Sequence, residues 1–328
     1  MMKTADKAHQ ASSLGEGWRG CSVVNGVRNV ISTAYNTIFR AVRRYDITPW
    51  EHDPVVEKPV YGVYHVFCDK GWRELVADQI GSLKRSGLWE KTVRFYVSCI
   101  VADDAEAEEL RRLIGVDKAE LVAVETDPMK FEYPALEFIR AKSREEDCLF
   151  YYFHTKGVSY YGGDDRDRNF RRLRRNVLAW RRMMEHFIFT KWRVAVNVLQ
   201  GGYDTYGCYR LPPYPKPCYL YAGNFWWVRS DYVRRLPPFP EERIATDRFI
   251  AEEWLYKAGP KDFSAFDTLA DLYYVYMDDA LYLSPKLPVF KWLKFVWCFN
   301  WVKVRSHLFK YDFRKNRLTR YQVLRKRG

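Results

Sequence analysis

The chain has 328 residues, 48% of them hydrophobic and 17% aromatic, with a formal net charge of +13. That length and apolar content suffice for one large α/β domain with appendages and exclude a disordered or fibrous chain. Residues 286–328 hold thirteen Lys and Arg against one acid, Asp312, a net +12 of the +13. The body is thus nearly neutral, which argues against a nucleic-acid groove across it and disfavours nucleic acid as the main partner.

The seven cysteines (Cys21, Cys68, Cys99, Cys148, Cys208, Cys218, Cys298) are odd in number, widely spread and without a CxxC pair, the pattern of a reducing compartment. The first twenty residues are polar, and no run of about 18 uncharged apolar residues is present to span a bilayer. The expectation is a cytoplasmic protein, peripheral at the inner face of a membrane.

In chain order, residues 25–44 set Val27, Val30, Ile31, Ala34, Tyr35, Ile38, Phe39 and Val42 at helical spacing opposite Arg28, Arg40, Arg43 and Arg44. This predicts a basic amphipathic helix that either lies on an anionic membrane or packs on the body. Strands are then predicted over 60–68, 93–101, 120–125 and 148–153, alternating with helices over 71–85, 103–114 and 133–144. Such alternation implies a mainly parallel sheet flanked by helices. Residues 177–199 read as one or two scaffold helices behind an arginine-rich stretch, 166–175. A Pro- and Tyr-rich loop, 211–221, leads to a strand at 223–228, and a helix is predicted over 247–257. Residues 289–309 are dense in Trp, Phe and Val but are interrupted by Lys291, Lys294, Lys303 and Arg305. They read as an interfacial segment ahead of a polybasic tail. The organisation expected is an N-terminal extension, 1–59, a catalytic α/β body, 60–285, and a membrane-associating tail, 286–328.

Ligands of parallel sheets bind beyond the carboxyl ends of the strands, so the residues after Phe67, Val101 and Phe153 come first. His154-Thr155-Lys156-Gly157 follows such a strand and suits a diphosphate: Lys supplies a compact charge, Thr and backbone N–H groups donate, and Gly permits close approach. Gly223-Asn224-Phe225-Trp226-Trp227 joins an amide to paired indoles, which suit sugar hydroxyls and the apolar face of a pyranose, though paired Trp in a strand also suit a core. Glu252 and Glu253 share a predicted helix with Arg248, four residues before Glu252. A carboxylate there could take the proton of an attacking hydroxyl, or simply form a solvated ion pair. Glu132 opens a helix, as a cap or a nucleoside contact. For a divalent metal (Mn²⁺ or Mg²⁺) the candidates are Asp204, Asp278 and Asp279. His-Thr-Lys rather than an Asp-x-Asp pair stands directly after the strand ending at Phe153, so no cofactor is assigned.

Several of these motifs occur together and in order. They comprise His65, Trp72 and the helix through Gln79 to Gly87-Leu88; Glu132-Tyr133-Pro134-Ala135-Leu136; and Tyr152-Phe153-His154-Thr155-Lys156-Gly157-Val158-Ser159. Trp180-Arg181 with Met184, Gly223-Asn224-Phe225-Trp226-Trp227, and Arg248 with Ala251-Glu252-Glu253-Trp254 complete the series. Across residues 60–258 the chain resembles a glycosyltransferase family of bacterial surface-polysaccharide loci and large DNA viruses, similar to the GT-A class. The resemblance implies a Rossmann-like GT-A fold and transfer of a sugar from a nucleotide-diphosphate donor to a hydroxyl of a growing glycan; the basic, aromatic ends, which it does not cover, suit a lipid-linked acceptor at the cytoplasmic leaflet. His154, Thr155, Lys156, Gly157, Glu132 and Trp72 would bind the donor; Gly223, Asn224, Phe225, Trp226 and Arg248 would border the sugar or acceptor; Glu252, with Glu253 as fallback, would be the base. A non-catalytic carbohydrate binder and a nucleic-acid binder acting through the basic tail are the competing classes.

Overall fold

The computed structural model describes residues 41–115, 118–161, 166–211, 219–240, 244, 246–247 and 249–307. A short strand, β1 (Val42–Arg44), precedes the parallel core of β2 (Val60–Phe67), β3 (Thr92–Ile100), β4 (Ala119–Glu125) and β5 (Leu149–His154). Further along come β6 (Thr205–Gly207), the β7 (Arg210–Leu211) and β8 (Leu220–Tyr221) ribbon, β9 (Trp226–Arg229), β10 (Asp262–Ser264) and β11 (Phe266–Thr268). The main sheet has seven strands in the order β10-β6-β9-β5-β2-β3-β4, parallel except that β9 opposes both β5 and β6.

The crossovers decide which face each helix covers. Helix α1 (Trp72–Arg85), the single turn α2 (Leu88–Lys91) and α3 (Asp104–Ile114) connect strands that step in one direction, β2 to β3 to β4. Helix α4 (Tyr133–Glu145) carries the chain back past β2 to β5, and a right-handed connection then requires the opposite face. The burial agrees. Trp72, Leu75, Val76, Ile80 and Leu83 of α1 join one core, whereas Tyr133, Leu136 and Ile139 of α4 join a second with Tyr61, Val63, Phe150 and Tyr152. With both faces covered, β2 reads as an almost uninterrupted buried run, VYGVYHVF.

Helix α5 (Arg168–Glu185) begins at Asp167, whose side chain accepts from Asn169 N. It incorporates the arginine-rich stretch, because Leu173, Val177, Trp180 and Met184 recur at three- and four-residue spacing and bury one stripe. A π-helical turn, His186–Thr190, separates it from α6 (Trp192–Gln200). The remaining helices are α7 (Ser230–Val233), α8 (Phe249–Glu253), α9 (Ala280–Leu283) and α10 (Val289–His307).

One local expectation is corrected. Residues 42–44, assigned by periodicity to the end of an amphipathic helix, form β1, paired antiparallel with β11 through Val42↔Thr268 and Arg44↔Phe266. The tertiary ladder, reinforced by Tyr45 and Arg210 donating to Asp267, overrides the local pattern. The remainder of that predicted helix, 25–40, lies outside the described residues. No helix among the described residues is long and apolar enough to cross a membrane.

Candidate functional site at the switch between two parallel strands

The chain leaves β2 toward β3 on one side and returns as β5 on the other, so the sheet changes direction between β2 and β5. In open α/β sheets the crevice beyond the carboxyl ends at such a point binds ligands. His65 and His154 are register partners there. Thr155 fastens the two ends: its N–H donates to His65 O at 3.1 Å, and its hydroxyl accepts the Phe67 N–H at 2.9 Å. The side chain expected to bind phosphate is therefore turned inward and buried.

Glu132 is the centre of the site. It occupies the N-cap position of α4, yet its side chain makes no capping bond. Its Oε2 instead accepts from the Tyr152 hydroxyl at 2.7 Å and from Asn224 Nδ2 at 2.6 Å. Its Oε1 lies 3.9 Å from His154 Nε2. Asn224 is held in turn by Trp226, whose indole N–H donates to Asn224 Oδ1 at 2.7 Å. His154 Nε2 is 2.9 Å from Gly223 O; a carbonyl has no proton to give, so Nε2 carries the hydrogen.

Backbone outliers surround this carboxylate. Phe131, just before Glu132, has φ 46°, and Gly223 and Asn224 have φ 94° and 55°. Two successive positive φ values turn Asn224 back toward Glu132, a placement a regular strand entry would not give.

Burial sets the protonation states. The Tyr152 phenol is pushed well above its ordinary range by burial first, then by the charge and hydrogen bond of Glu132 and by the charge of Glu252. It stays protonated as a donor. His65 is held down to about 4 by burial, with Glu132 opposing and His154 reinforcing the shift, so it is neutral near pH 7. Its Nδ1 lies 3.3 Å from Ser98 Oγ.

Lys156 faces the other side of the sheet, toward α5. Its ammonium stands 4.0 Å over the Trp180 ring and 3.5 Å from the Tyr273 hydroxyl. Beside it, Trp180 Nε1 and Asn176 Oδ1 are buried without a hydrogen-bond partner. Gly157 makes the approach with φ 88°, where a Cβ would stand 2.7 Å from Val177 Cγ1. The candidate residues thus divide in two groups. Glu132, His154 and Asn224 converge on the α4 face with Glu252 in electrostatic range of Tyr152, while Lys156 and Gly157 lie against α5. Gly223 links the groups, its carbonyl toward His154 and its Cα against Met184 and Trp180.

Other expected positions serve the fold. Trp72 is 1% exposed, in the core, and donates its indole N–H to Glu106 at 2.9 Å. Phe225, Trp226 and Trp227 are buried: Trp226 packs on Tyr152 and Trp227 donates to Ile188 O on the opposite sheet face. No indole of this motif offers an open face for a sugar ring. Glu253 pairs with Lys257 at 2.9 Å. Arg248 lies outside the described residues. Asp204 accepts from Arg229, Arg235 and Lys261 N at the far end of the sheet, and Asp278 pairs with Lys291. Among the described residues, no three His, Cys, Asp or Glu side chains gather as a metal site.

His65 and Tyr152 stand among the sequence motifs without a role assigned to either. The available signal was two-residue spacing: Tyr152 and His154 face the same side of β5 at its carboxyl end.

No protein-family model matches the chain, and no curated protein matches it. Among solved structures it is similar to 4-diphosphocytidyl-2C-methyl-D-erythritol synthase from Anaerococcus prevotii, at 8% identity and a TM-score of 0.34, over 63% of this chain and 89% of that one.

Proposed function

We propose that the chain is a GT-A-like glycosyltransferase that moves a sugar from a nucleotide-diphosphate donor to a hydroxyl of a lipid-linked surface glycan, working on the cytoplasmic face of an anionic membrane. The observation that carries the reading is the Glu132 carboxylate, fixed by Tyr152 and Asn224 beside His154 at the strand switch. A preoriented carboxylate suits the hydroxyls of a ribose or hexose, because it accepts two hydrogen bonds without reorganising.

In this reading Glu132 and His154 hold the donor, and Lys156 leaves its perch over Trp180 to meet the diphosphate, offsetting the charge that develops on the leaving group. The Trp180 N–H and Asn176 carbonyl, buried without a hydrogen-bond partner, are further groups on α5 for a polar ligand. Glu252 takes the proton of the acceptor hydroxyl as it attacks the anomeric carbon. A divalent ion is not assigned a role. The basic residues of 286–328 favour the anionic surface that presents the acceptor.

The test is a thermal-shift and hydrolysis screen against UDP-, GDP-, dTDP- and CMP-sugars, each with and without Mn²⁺ or Mg²⁺. One donor is expected to stabilise the protein selectively, with the response lost in Glu132→Gln and Lys156→Ala. No response to any donor, with glycan or nucleic-acid binding intact, overturns the reading.

A further inference from the structure

Helix α10 has two apolar faces, and one of them packs against the other described residues. Phe295, Val296 and Phe299 are buried against the body. Phe290 (88% exposed), Leu293 (49%), Trp297 (71%), Trp301 (50%) and Val304 (37%) point outward. At 100° per residue these five fall within an arc of about 80°, and the buried three lie on the opposite side. Residues 289–307 contain no Asp or Glu, while Lys294 and Arg305 sit along one edge of the outward stripe. Two indoles and a phenyl ring in line with basic side chains are the composition of a helix lying in the headgroup region of a bilayer.

We infer that this outer face of α10 is an insertion surface for an anionic bilayer. The inference deepens the membrane reading above and rests on it for the nature of the surface. Charge selects the occupant. The 21 residues after α10 carry eight Lys and Arg against Asp312, so a second copy docked here would bring two basic tails together. Residues 1–40, with five basic and two acidic side chains, would likewise add like charge. An anionic lipid surface is attracted by both segments. Binding then has two parts: a tail attraction that salt screens, and an aromatic insertion that salt leaves in place.

The experiment is sedimentation of the full chain with phosphatidylcholine vesicles, with and without phosphatidylserine, at low and high salt. It compares wild type with the Phe290→Ser/Trp297→Ser/Trp301→Ser variant and with a chain truncated after His307. Wild type is expected to stay on anionic vesicles at high salt. The triple variant is expected to lose that salt-resistant binding by roughly tenfold while keeping its Tm and its low-salt binding. The truncated chain should show the converse. Full release of wild type at high salt overturns the insertion face and leaves electrostatic membrane binding standing. No binding to any vesicle overturns both. Self-association of wild type that the triple variant lacks also overturns it by giving the face another occupant. Donor hydrolysis in solution, which none of these changes touches, separates every outcome from the transferase reading.

Discussion

Asn224 Nδ2 and Glu132 Oε2 lie 2.6 Å apart although 92 positions separate them in sequence. The same amide accepts from Trp226 through its oxygen, so both ends of one side chain are committed. Asn224→Ala leaves the Trp226 N–H unpartnered in the core and takes one of two donors from Glu132. The expected cost is about 1–3 kcal/mol of stability, read from urea unfolding, together with loss of donor-induced stabilisation. Unchanged donor binding in a folded Asn224→Ala protein would show that Glu132 needs no such orientation.

Gly223 tests the backbone side of the same arrangement. Its φ is 94°, and a Cβ would stand 2.5 Å from Met184 Sδ. Gly223→Ala is expected to destabilise by about 1–3 kcal/mol, from positive φ and overlap together. Adding Met184→Ala relieves the overlap but not the φ strain, and leaves a cavity of its own. A double variant whose loss is smaller than the sum of the two single losses is therefore the outcome to look for, by double-mutant cycle.

The pH dependence follows from His65. Its folded pKa of about 4 lies below the ordinary 6.5 because burial disfavours the cation. Between those values the unfolded chain binds a proton that the folded chain refuses, so stability falls as pH drops from about 6.5 toward 4, by about 3 kcal/mol at most. Above that window the group contributes no slope. His65→Gln should flatten the decline measured by denaturant midpoints across it. His186, also held to about 4 by burial, accounts for part of the slope that remains.

The alternating strands and helices from 60 to 154 were legible because each repeats its own period and β2 and β5 are continuous apolar runs, so ends agree within a residue or two. The same pattern put His154 and Lys156 at the carboxyl end of β5. What sequence could not supply was the face. Whether Trp226 meets a ligand or the core depends on β9 pairing antiparallel between β5 and β6, a long-range fact. Helical periodicity at 42–44 likewise lost to a ladder partner more than 220 residues away. Glu132 looked like a cap because its position is one. Only Tyr152 and Asn224, brought from other elements, give its side chain a different task.

Beneath the site, Arg181 is fully buried between Glu185, 3.1 Å from its Nε, the Tyr161 hydroxyl at 3.1 Å, and Asp78. Gln79 hydrogen-bonds Glu185 and donates to His154 O at 3.2 Å, so the ion pair underlies the end of β5. Burial already raises the Glu185 pKa against the attraction of Arg181. Arg181→Met therefore leaves a buried carboxylate uncompensated, and the expected loss is about 3–5 kcal/mol. Adding Glu185→Leu should recover most of it, since paired apolar replacements remove the desolvation cost as well as the attraction. Equal destabilisation in the single and double variants would mean that packing, not charge, is what Arg181 provides.

The two adjacent acids of α8 make the sharpest test of the proposed chemistry. Glu253 is paired with Lys257 one turn on, at 2.9 Å, and that partner ties it to the helix surface. Glu252 is the one whose charge reaches the buried Tyr152 phenol, and Tyr152 bonds Glu132. If Glu252 is the base, Glu252→Gln keeps shape and donor binding but removes the proton acceptor, so glycosyl transfer should fall by about 10²–10⁴-fold. Glu253→Gln loses one half-exposed ion pair, which is worth at most about 0.5 kcal/mol, and transfer should stay within a fewfold of wild type. Donor-induced thermal shift should be the same in both. Transfer retained in Glu252→Gln and lost in Glu253→Gln would reverse the assignment; transfer retained in both would move the base to Glu132 or His154, two further titratable groups on the α4 face of the site.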